Sequence, residues 1–527
     1  MPLQPKPFIE RPSVPAGKHL LVREIIGDIL SSGIRVPADV SGRESGAGPA
    51  EGRALLIGGM PVNASISSAY AIASPYCLHD GPHGWAIYKD GQFLTPVEVV
   101  PEPAFYRRQT TDGIDYRKVA LLHGMDCLAT TVLQTCRHWR NDEQCDFCGI
   151  ELSLKSRMTL ARKTPVQLAE VAGFAKAMDR VSHVVLTSGT GEPPGSEIAY
   201  LAECTAAVKN ASGLPVHVQF APPANIEDID SLYHAGVDTV GIHLESFDAA
   251  TLARVAPSKA RIGLAQYYKT WERAVALFGP NQVSSFLIAG LGEPVTSLLK
   301  GSETLADMGV YPFVVPFRPI AGTRRAVTRP PAASLMHPIY EAVADILFKK
   351  GLTAAGCKAG CVRCGACSAL AAYERPPAEL VYHRCRTPYE FRSARAIRRD
   401  VFVLEQAMFS DTDLDEHDVD SIHIVATAGQ TVVGTVRVFP ANDSGHWIGG
   451  RLAVRKAYRM SSVGAGLVRE AMQQVKRQGC KLFTAHIQEQ NIPFFKKIGW
   501  ETVGAITHHM GKPHQLMRAD LNSDPEN

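Results

Sequence analysis

Six times between about residues 128 and 350 a short apolar, β-branched run is followed by a helical pattern, and this alternation restricts the chain to few folds. The runs cover 128–133, 183–187, 216–220, 239–244, 283–289 and 313–317, with helical patterns such as 165–178, 197–210 and 270–277 between them. A strand that returns parallel to its predecessor needs a crossover, and these helices supply it. The pattern therefore predicts an α/β fold, a parallel sheet curved into a partial (β/α)6 barrel, whose chemistry belongs at the C-terminal ends of the strands.

Directly after the first run stands T-C-R-H-W-R-N-D-E-Q-C-D-F-C-G, which puts Cys136, Cys145 and Cys148 in one loop. Three thiolates can hold three corners of a 4Fe–4S cube and leave the fourth iron open, and clustered soft sulfur donors favour iron–sulfur or zinc over hard cations. The alternative is a zinc site completed by His138, although structural zinc usually draws two separated ligand pairs. A second group, C-K-A-G-C-V-R-C-G-A-C, places Cys357, Cys361, Cys364 and Cys367 at a C-x3-C-x2-C-x2-C spacing. Four thiols so close together would close an auxiliary 4Fe–4S cluster, as in ferredoxin-type loops, or clasp a zinc ion. Seven of the twelve cysteines fall in these two groups, and the other five, Cys77, Cys127, Cys204, Cys385 and Cys480, read as packing residues.

Lys+Arg 55 against Asp+Glu 52 gives a formal net charge of +3, without the concentrated basic field of a nucleic-acid binder. The first residues lack an apolar leader core, and no stretch of about 18 apolar residues occurs, so the expectation is a cytoplasmic protein with no membrane partner. Residues 1–125 form an N-terminal extension rich in Gly and Pro, whose one clear signal is a hairpin turning at Asp90-Gly91. The barrel is expected over 126–350, the second cysteine group over 351–375, and a proline-stiffened linker over 376–379.

From 380 to 527 a mixed α+β pattern follows, with a hairpin about Gly429 and a strand G-G-R-L-A-V that leads into R-K-A-Y-R-M-S-S-V-G-A-G-L-V. Backbone N–H groups at a helix start form an anion cradle where small residues leave room, which nominates Arg459, Ser462, Val463, Gly464 and Gly466 for a pyrophosphate. The run D-T-D-L-D-E-H-D alternates carboxylates as a calcium loop would but lacks the glycine and final glutamate of an EF-hand. It reads as a solvated loop facing a basic substrate.

The cysteine triad after the first strand, ending C-D-F-C, resembles the radical S-adenosylmethionine (SAM) enzymes, although their usual spacing is C-x3-C-x2-C and this chain has C-x8-C-x2-C. A longer gap costs little loop entropy. The resemblance implies a 4Fe–4S cluster whose open iron is chelated by the methionine end of S-adenosylmethionine, reductive cleavage to a 5′-deoxyadenosyl radical, and an electron donor such as ferredoxin or flavodoxin. By the same resemblance Phe147, then Ser188, Gly189 and Thr190 of T-S-G-T-G-E, Glu245 and Ser246 of H-L-E-S-F-D, and Gly290 and Gly292 of I-A-G-L-G-E would bind the cofactor. Arg318, His217 and Gln219 could face a substrate.

The second half looks like the GNAT N-acetyltransferases, whose acyl-CoA loop reads R/Q-x-x-G-x-G/A; Arg459 and Gly464 match it, with Ser462 in place of the first glycine. N-I-P-F-F-K-K-I-G-W is similar to their late F-Y-x-x-x-G-F segment, which adds Asn491 to the cofactor set. Phe495 stands where many members keep a proton-donating tyrosine, and phenylalanine cannot donate. Glu405, His486 and His514 are the candidates for acid or base work with acetyl-CoA. The pair of domains resembles the radical SAM protein and the nitrogen-starvation N-acetyltransferase of bacterial nitrilase gene clusters, which implies a small nitrogenous metabolite as substrate. The rival expectation is a zinc-stapled scaffold with a silent, acyl-CoA-sensing GNAT domain.

Overall fold

Successive side chains of a strand point to opposite faces, so a curved sheet needs only one apolar face outward and can line its concave face with whatever chemistry requires. The structure, a computed structural model, describes residues 16–42, 51–81, 84–140, 143–193, 195–375, 380–428, 431–441, 444–455, 458–459, 463–509 and 511–521. They fall into two units, Met1–Phe348 with Leu352–Glu374, and Lys349–Gly351 with Arg375–Asn527. Ser462, the turn at Gly429 and the linker 376–379 lie outside the described residues.

In the first unit helix α1 (Ala16–Ser32) precedes β1 (Arg53–Ile57), β2 (Met60–Ala64), β3 (Tyr76–Gly81), β4 (Gly84–Lys89) and β5 (Gln92–Val99), paired antiparallel in the order β2-β1-β5-β4-β3. The expected hairpin is β4–β5: Asp90 and Gly91 take φ of 48° and 81°, the two left-handed positions a two-residue turn requires. The other strands left no clear trace in the sequence, being short and interrupted by Gly and Pro.

β6 (Leu121–His123) then pairs antiparallel with β7 (Cys127–Leu133), after which β7, β8 (His183–Ser188), β9 (Val216–Gln219), β10 (Thr239–Gly241), β11 (Val283–Ala289) and β12 (Val310–Pro316) lie parallel in sequence order. The crossovers include α2 (Pro165–Asp179), α3 (Ser196–Ser212), α4 (Ile229–His234), α5 (Leu264–Phe278) and α6 (Val295–Asp307). α2 starts where it must: Thr164 and Gln167 form a capping box and Pro165 occupies the first turn. α7 (Ala333–Lys350) leads to the short α8 (Gly360–Cys364) inside the second cysteine group. One apolar core joins the N-terminal sheet to the barrel, and Asn63 of β2 ties them further, its N–H donating to Ala366 O at 2.7 Å and its carbonyl accepting from Arg318 Nη2 at 2.7 Å.

The second unit has β13 (Leu380–Arg384), α9 (Pro388–Arg398), β14 (Ile422–Ala428), β15 (Thr431–Pro440), β16 (His446–Val454), α10 (Val463–Arg477), β17 (Leu482–Gln488), α11 (Ile492–Lys497), β18 (Trp500–His509) and β19 (Lys512–Ala519). The sheet order is β13-β14-β15-β16-β17-β19-β18, antiparallel except at β16–β17. That parallel pairing covers only His446–Gly449 against Leu482–Ala485. Beyond it the two strands lose their ladder, and an opening forms. Among the described residues no helix is long and apolar enough to cross a membrane.

Candidate functional site

At the C-terminal ends of the barrel strands a cavity of about 370 Å³ brings together Cys136, Cys145 and Cys148 with Phe147, Ser188, Gly189, Thr190 and Glu245. The cysteine loop is pinned by its backbone: Cys136 N–H donates to Glu151 Oε1 at 3.1 Å, and Asp146 N–H to Val255 O at 2.8 Å. Gly189 is where the loop touches β8, and a Cβ there would lie 2.1 Å from Thr135 O. Burial pushes the Cys145 thiol up to about 12 and the Cys148 thiol to about 11. A bare thiolate is penalised in this setting, and a cationic metal centre offsets that penalty. Among the described residues no three Cys, His, Asp or Glu side chains converge as the ligands of one ion do.

Across the cavity Lys259 Nζ donates to Glu245 Oε1 at 2.7 Å and to His243 O at 2.5 Å. Burial alone would lower the Lys259 ammonium, but the Glu245 carboxylate and its neighbours outweigh it and raise the pKa. Glu245 sits at φ 77°, an uncommon conformation for a side-chain-bearing residue and one that clusters at functional sites. Among the described residues, six buried polar atoms of the cavity lining have no hydrogen-bond partner: Glu245 Oε2, His243 Nε2 and Arg318 Nη1 on one side, and His138 Nδ1, Trp139 Nε1 and Gln144 Oε1 beside the cysteine loop. Gln219 also lines the cavity, whereas His217 packs below it with Nδ1 2.8 Å from Thr239 Oγ1.

Ser246, Gly290 and Gly292 are not in the lining. Ser246 is fully buried and accepts from Asp248 N–H at 3.1 Å. Gly290 and Gly292, at φ 99° and 107°, serve the turn of the chain, since a Cβ would meet Pro331 Cδ at 2.9 Å and Arg254 Nη2 at 2.6 Å respectively. Lys259 and His243 were missed: His243 lies one strand period before Glu245 and was findable, while no motif marks Lys259. In the second cysteine group Cys367 reaches the cavity wall and Cys361 Sγ accepts from Gln219 Nε2 at 3.2 Å. Cys357 turns elsewhere, its thiol donating to Asn281 O at 2.9 Å.

In the second unit a cavity of about 490 Å³ occupies the opening between β16 and β17, lined by Gly450, Arg451, His486, Gln488, Asn491, Phe495 and His514, among others. Phe495 is part of its wall, edge-on to Trp500. His514 Nδ1 donates to Lys512 O at 2.9 Å, which fixes the tautomer. Burial, and then the nearby His514, lower the His486 pKa. Glu405 is outside the lining and forms a two-pronged pair with Arg459, 2.5 and 2.7 Å, so the guanidinium expected at the pyrophosphate is held by a carboxylate. Val463 opens α10; Gly464 has ordinary clearance, 3.6 Å to Phe494 Cζ, while Gly466 is required because a Cβ would strike the Tyr382 ring at 2.1 Å.

The acidic run is a correction. Asp413, Asp415 and Asp418 are bound by arginines: Arg398 Nε donates to Asp413 Oδ2 at 2.7 Å and its Nη1 to Asp418, while Arg437 and Arg451 hold Asp415 at 2.7 and 3.0 Å. Arg398 is only 1% exposed, so this is an internal network.

Residues 140–300 match the Radical SAM superfamily and residues 387–500 the Acetyltransferase (GNAT) family. A Bacillus subtilis (strain 168) protein named as an acetyltransferase is 34% identical over 131 residues, 24% of this chain and 88% of its own length. The bacteriochlorophyllide c C-7(1)-hydroxylase of Chlorobaculum limnaeum is 27% identical over 138 residues, 26% of this chain and 34% of that protein, so the match spans about a third of it. A crystal structure of an N-acetyltransferase from Lactobacillus plantarum shares 24% identity over 27% of this chain and 98% of that one, with a TM-score of 0.26. The chain is thus an enzyme in which a radical SAM domain is fused to an acyltransferase domain. Its C-terminal part belongs to the GNAT acetyltransferase family.

A radical SAM domain implies S-adenosylmethionine and a 4Fe–4S cluster, and a GNAT domain implies acyl-CoA. The residues fit the first pair: three thiols stand on one wall, unsatisfied polar atoms line the same cavity, and the Gly189 turn leaves no room for a side chain.

Proposed function

We propose that the first unit cleaves S-adenosylmethionine reductively and directs the radical onto a small nitrogenous metabolite, and that the second unit transfers an acetyl group from acetyl-CoA to an amine that is substrate or product of the first. What carries this reading is the shared cavity of Cys136, Cys145 and Cys148 with the unpartnered Glu245 Oε2, His243 Nε2 and Arg318 Nη1. Cys136, Cys145 and Cys148 would hold the 4Fe–4S cluster, which would supply a one-electron reductant recharged by a donor such as ferredoxin or flavodoxin. Glu245, oriented by Lys259, would accept hydrogen bonds from the nucleotide or its amino group. Arg318, tethered to Asn63, would donate to a carboxylate, and the aromatic wall of Phe147, Phe286 and Phe317 would exclude water.

In the second unit His486, kept neutral near pH 7, would take the proton of the attacking amine. With Phe495 unable to donate, the imidazolium would return that proton to the departing CoA thiolate. Fusion keeps each site at a high effective concentration of the other's product.

Oxygen-free purification provides the test: iron-loaded brown protein that releases 5′-deoxyadenosine on dithionite reduction supports the proposal, and a colourless zinc protein eliminates it. For the second unit, acetyl-CoA titration of Gly464→Trp should show weakened binding, and unchanged affinity would count against the cradle at α10.

A further inference from the structure

The second cysteine group reads in the sequence as a self-contained set of four, yet the fold separates one member and recruits a stranger. Cys357 is anchored on Asn281 O and faces Glu374 and Arg363. Cys361 faces both Cys364 and Cys367. The thiol of Cys127, at the start of β7, lies within hydrogen-bonding reach of Cys364 and also faces Cys361.

The strand period explains why. Cys127, Ala129 and Thr131 alternate onto the concave face of β7, where Thr131 reaches the cavity, and Cys127 and Ala129 pack with Val185, Cys364 and Ala366. Residues 359–367 plug the closed end of the barrel. Thr239 Oγ1 donates to Ala359 O at 3.3 Å, Gly360 at φ 98° lies so near the His217 ring that a Cβ would meet it at 2.6 Å, and a Cβ on Gly124 would fall 2.8 Å from Cys364 Sγ. Glycine at both positions lets the backbone bring the thiols in.

We propose that Cys127, Cys361, Cys364 and Cys367 hold a second iron–sulfur cluster at the closed end of the barrel, with Cys357 outside its ligand set. Four soft sulfur donors, Cys127 and Cys364 buried and Cys361 and Cys367 partly buried, suit such a cluster. Thiolates on a cube each hold a different iron and need not converge on one point, in keeping with the absence of a single-ion ligand set among the described residues. Cys367 lines the cavity of the first triad, so this cluster would have one corner at the wall of the reaction chamber.

The proposal does not rest on radical chemistry and is tested apart from it, in the full chain carrying Cys136→Ala, Cys145→Ala and Cys148→Ala and purified without oxygen. That background should keep about four irons per chain and a 4Fe–4S spectrum in the reduced state. Adding Cys127→Ala, or the volume-keeping Cys127→Ser, should cut the iron at least in half or convert the spectrum to that of a three-iron centre. Adding Cys357→Ala should change neither. The assignment fails if the background chain carries no iron, or if folded Cys127 variants keep a full cluster. Loss of the cluster on Cys357→Ala overturns it regardless of how the Cys127 variants fold.

Discussion

The two cavities differ less in size than in what their walls leave undone. The barrel cavity buries Glu245 Oε2, His243 Nε2 and Arg318 Nη1 without a protein partner. In the acyltransferase cavity the charged wall residues Asp415, Arg437 and Arg451 pair with one another, and among the described wall residues two such atoms are left, Arg437 Nε and Trp500 Nε1. An unsatisfied buried polar group costs about 1–3 kcal/mol. The first site therefore gains stability from a polar ligand, whereas the second is already held in shape by its own ion pairs.

If that contrast is right, Cys145→Ala has the largest effect: release of 5′-deoxyadenosine should fall roughly 10³-fold or more, about 4 kcal/mol of barrier, with the acetyl transfer of the same chain unchanged. Activity within tenfold of the parent would break the comparison at its root. Next, His486→Ala should lower kcat for acetyl transfer by about 10²–10⁴-fold. Because the His486 pKa is lowered by burial and by His514, the parent's rate should hold as pH falls to the ordinary imidazole value, about 6.5, and drop only below it. A limb at or above that value would remove His486 as the base. Smaller again, Glu245→Gln should weaken S-adenosylmethionine binding by about 10–100-fold, the worth of a hydrogen bond to a charged group, measured by equilibrium dialysis of the reconstituted protein. Unchanged affinity would leave Glu245 only its partner Lys259 to hold.

The difference between the units also marks what could be read before the fold was known. The six strand runs and the Cys136, Cys145 and Cys148 loop were legible because each is local: a period of two, and three thiols within thirteen residues. Glu245 was legible for its place after a strand, but Ser246 beside it has the opposite facing and bonds to Asp248 instead. Lys259 and Cys127 were not legible, since each reaches its site from a distant element and no spacing announces it. The Asp411–Asp418 run misled because its partners, Arg398, Arg437 and Arg451, come from three other elements, so local composition showed charge and concealed the pairing.

That network gives the smallest and most discriminating test. For Asp415 and Asp418 burial works against ionisation, but the arginine hydrogen bonds prevail and hold both carboxyls below the ordinary range. A carboxyl whose folded pKa is depressed contributes stability that is complete above its unfolded value, about 4, and is lost as pH falls through the folded value. Asp418→Asn removes that charge at every pH. The melting midpoint of the parent chain should therefore exceed that of Asp418→Asn by a few degrees at neutral pH, and the gap should narrow steadily as pH falls from about 5 to about 2. A gap that stays constant would mean that Asp418 acts through shape and hydrogen bonding alone. The acyltransferase cavity would then not owe its self-sufficiency to paired charge.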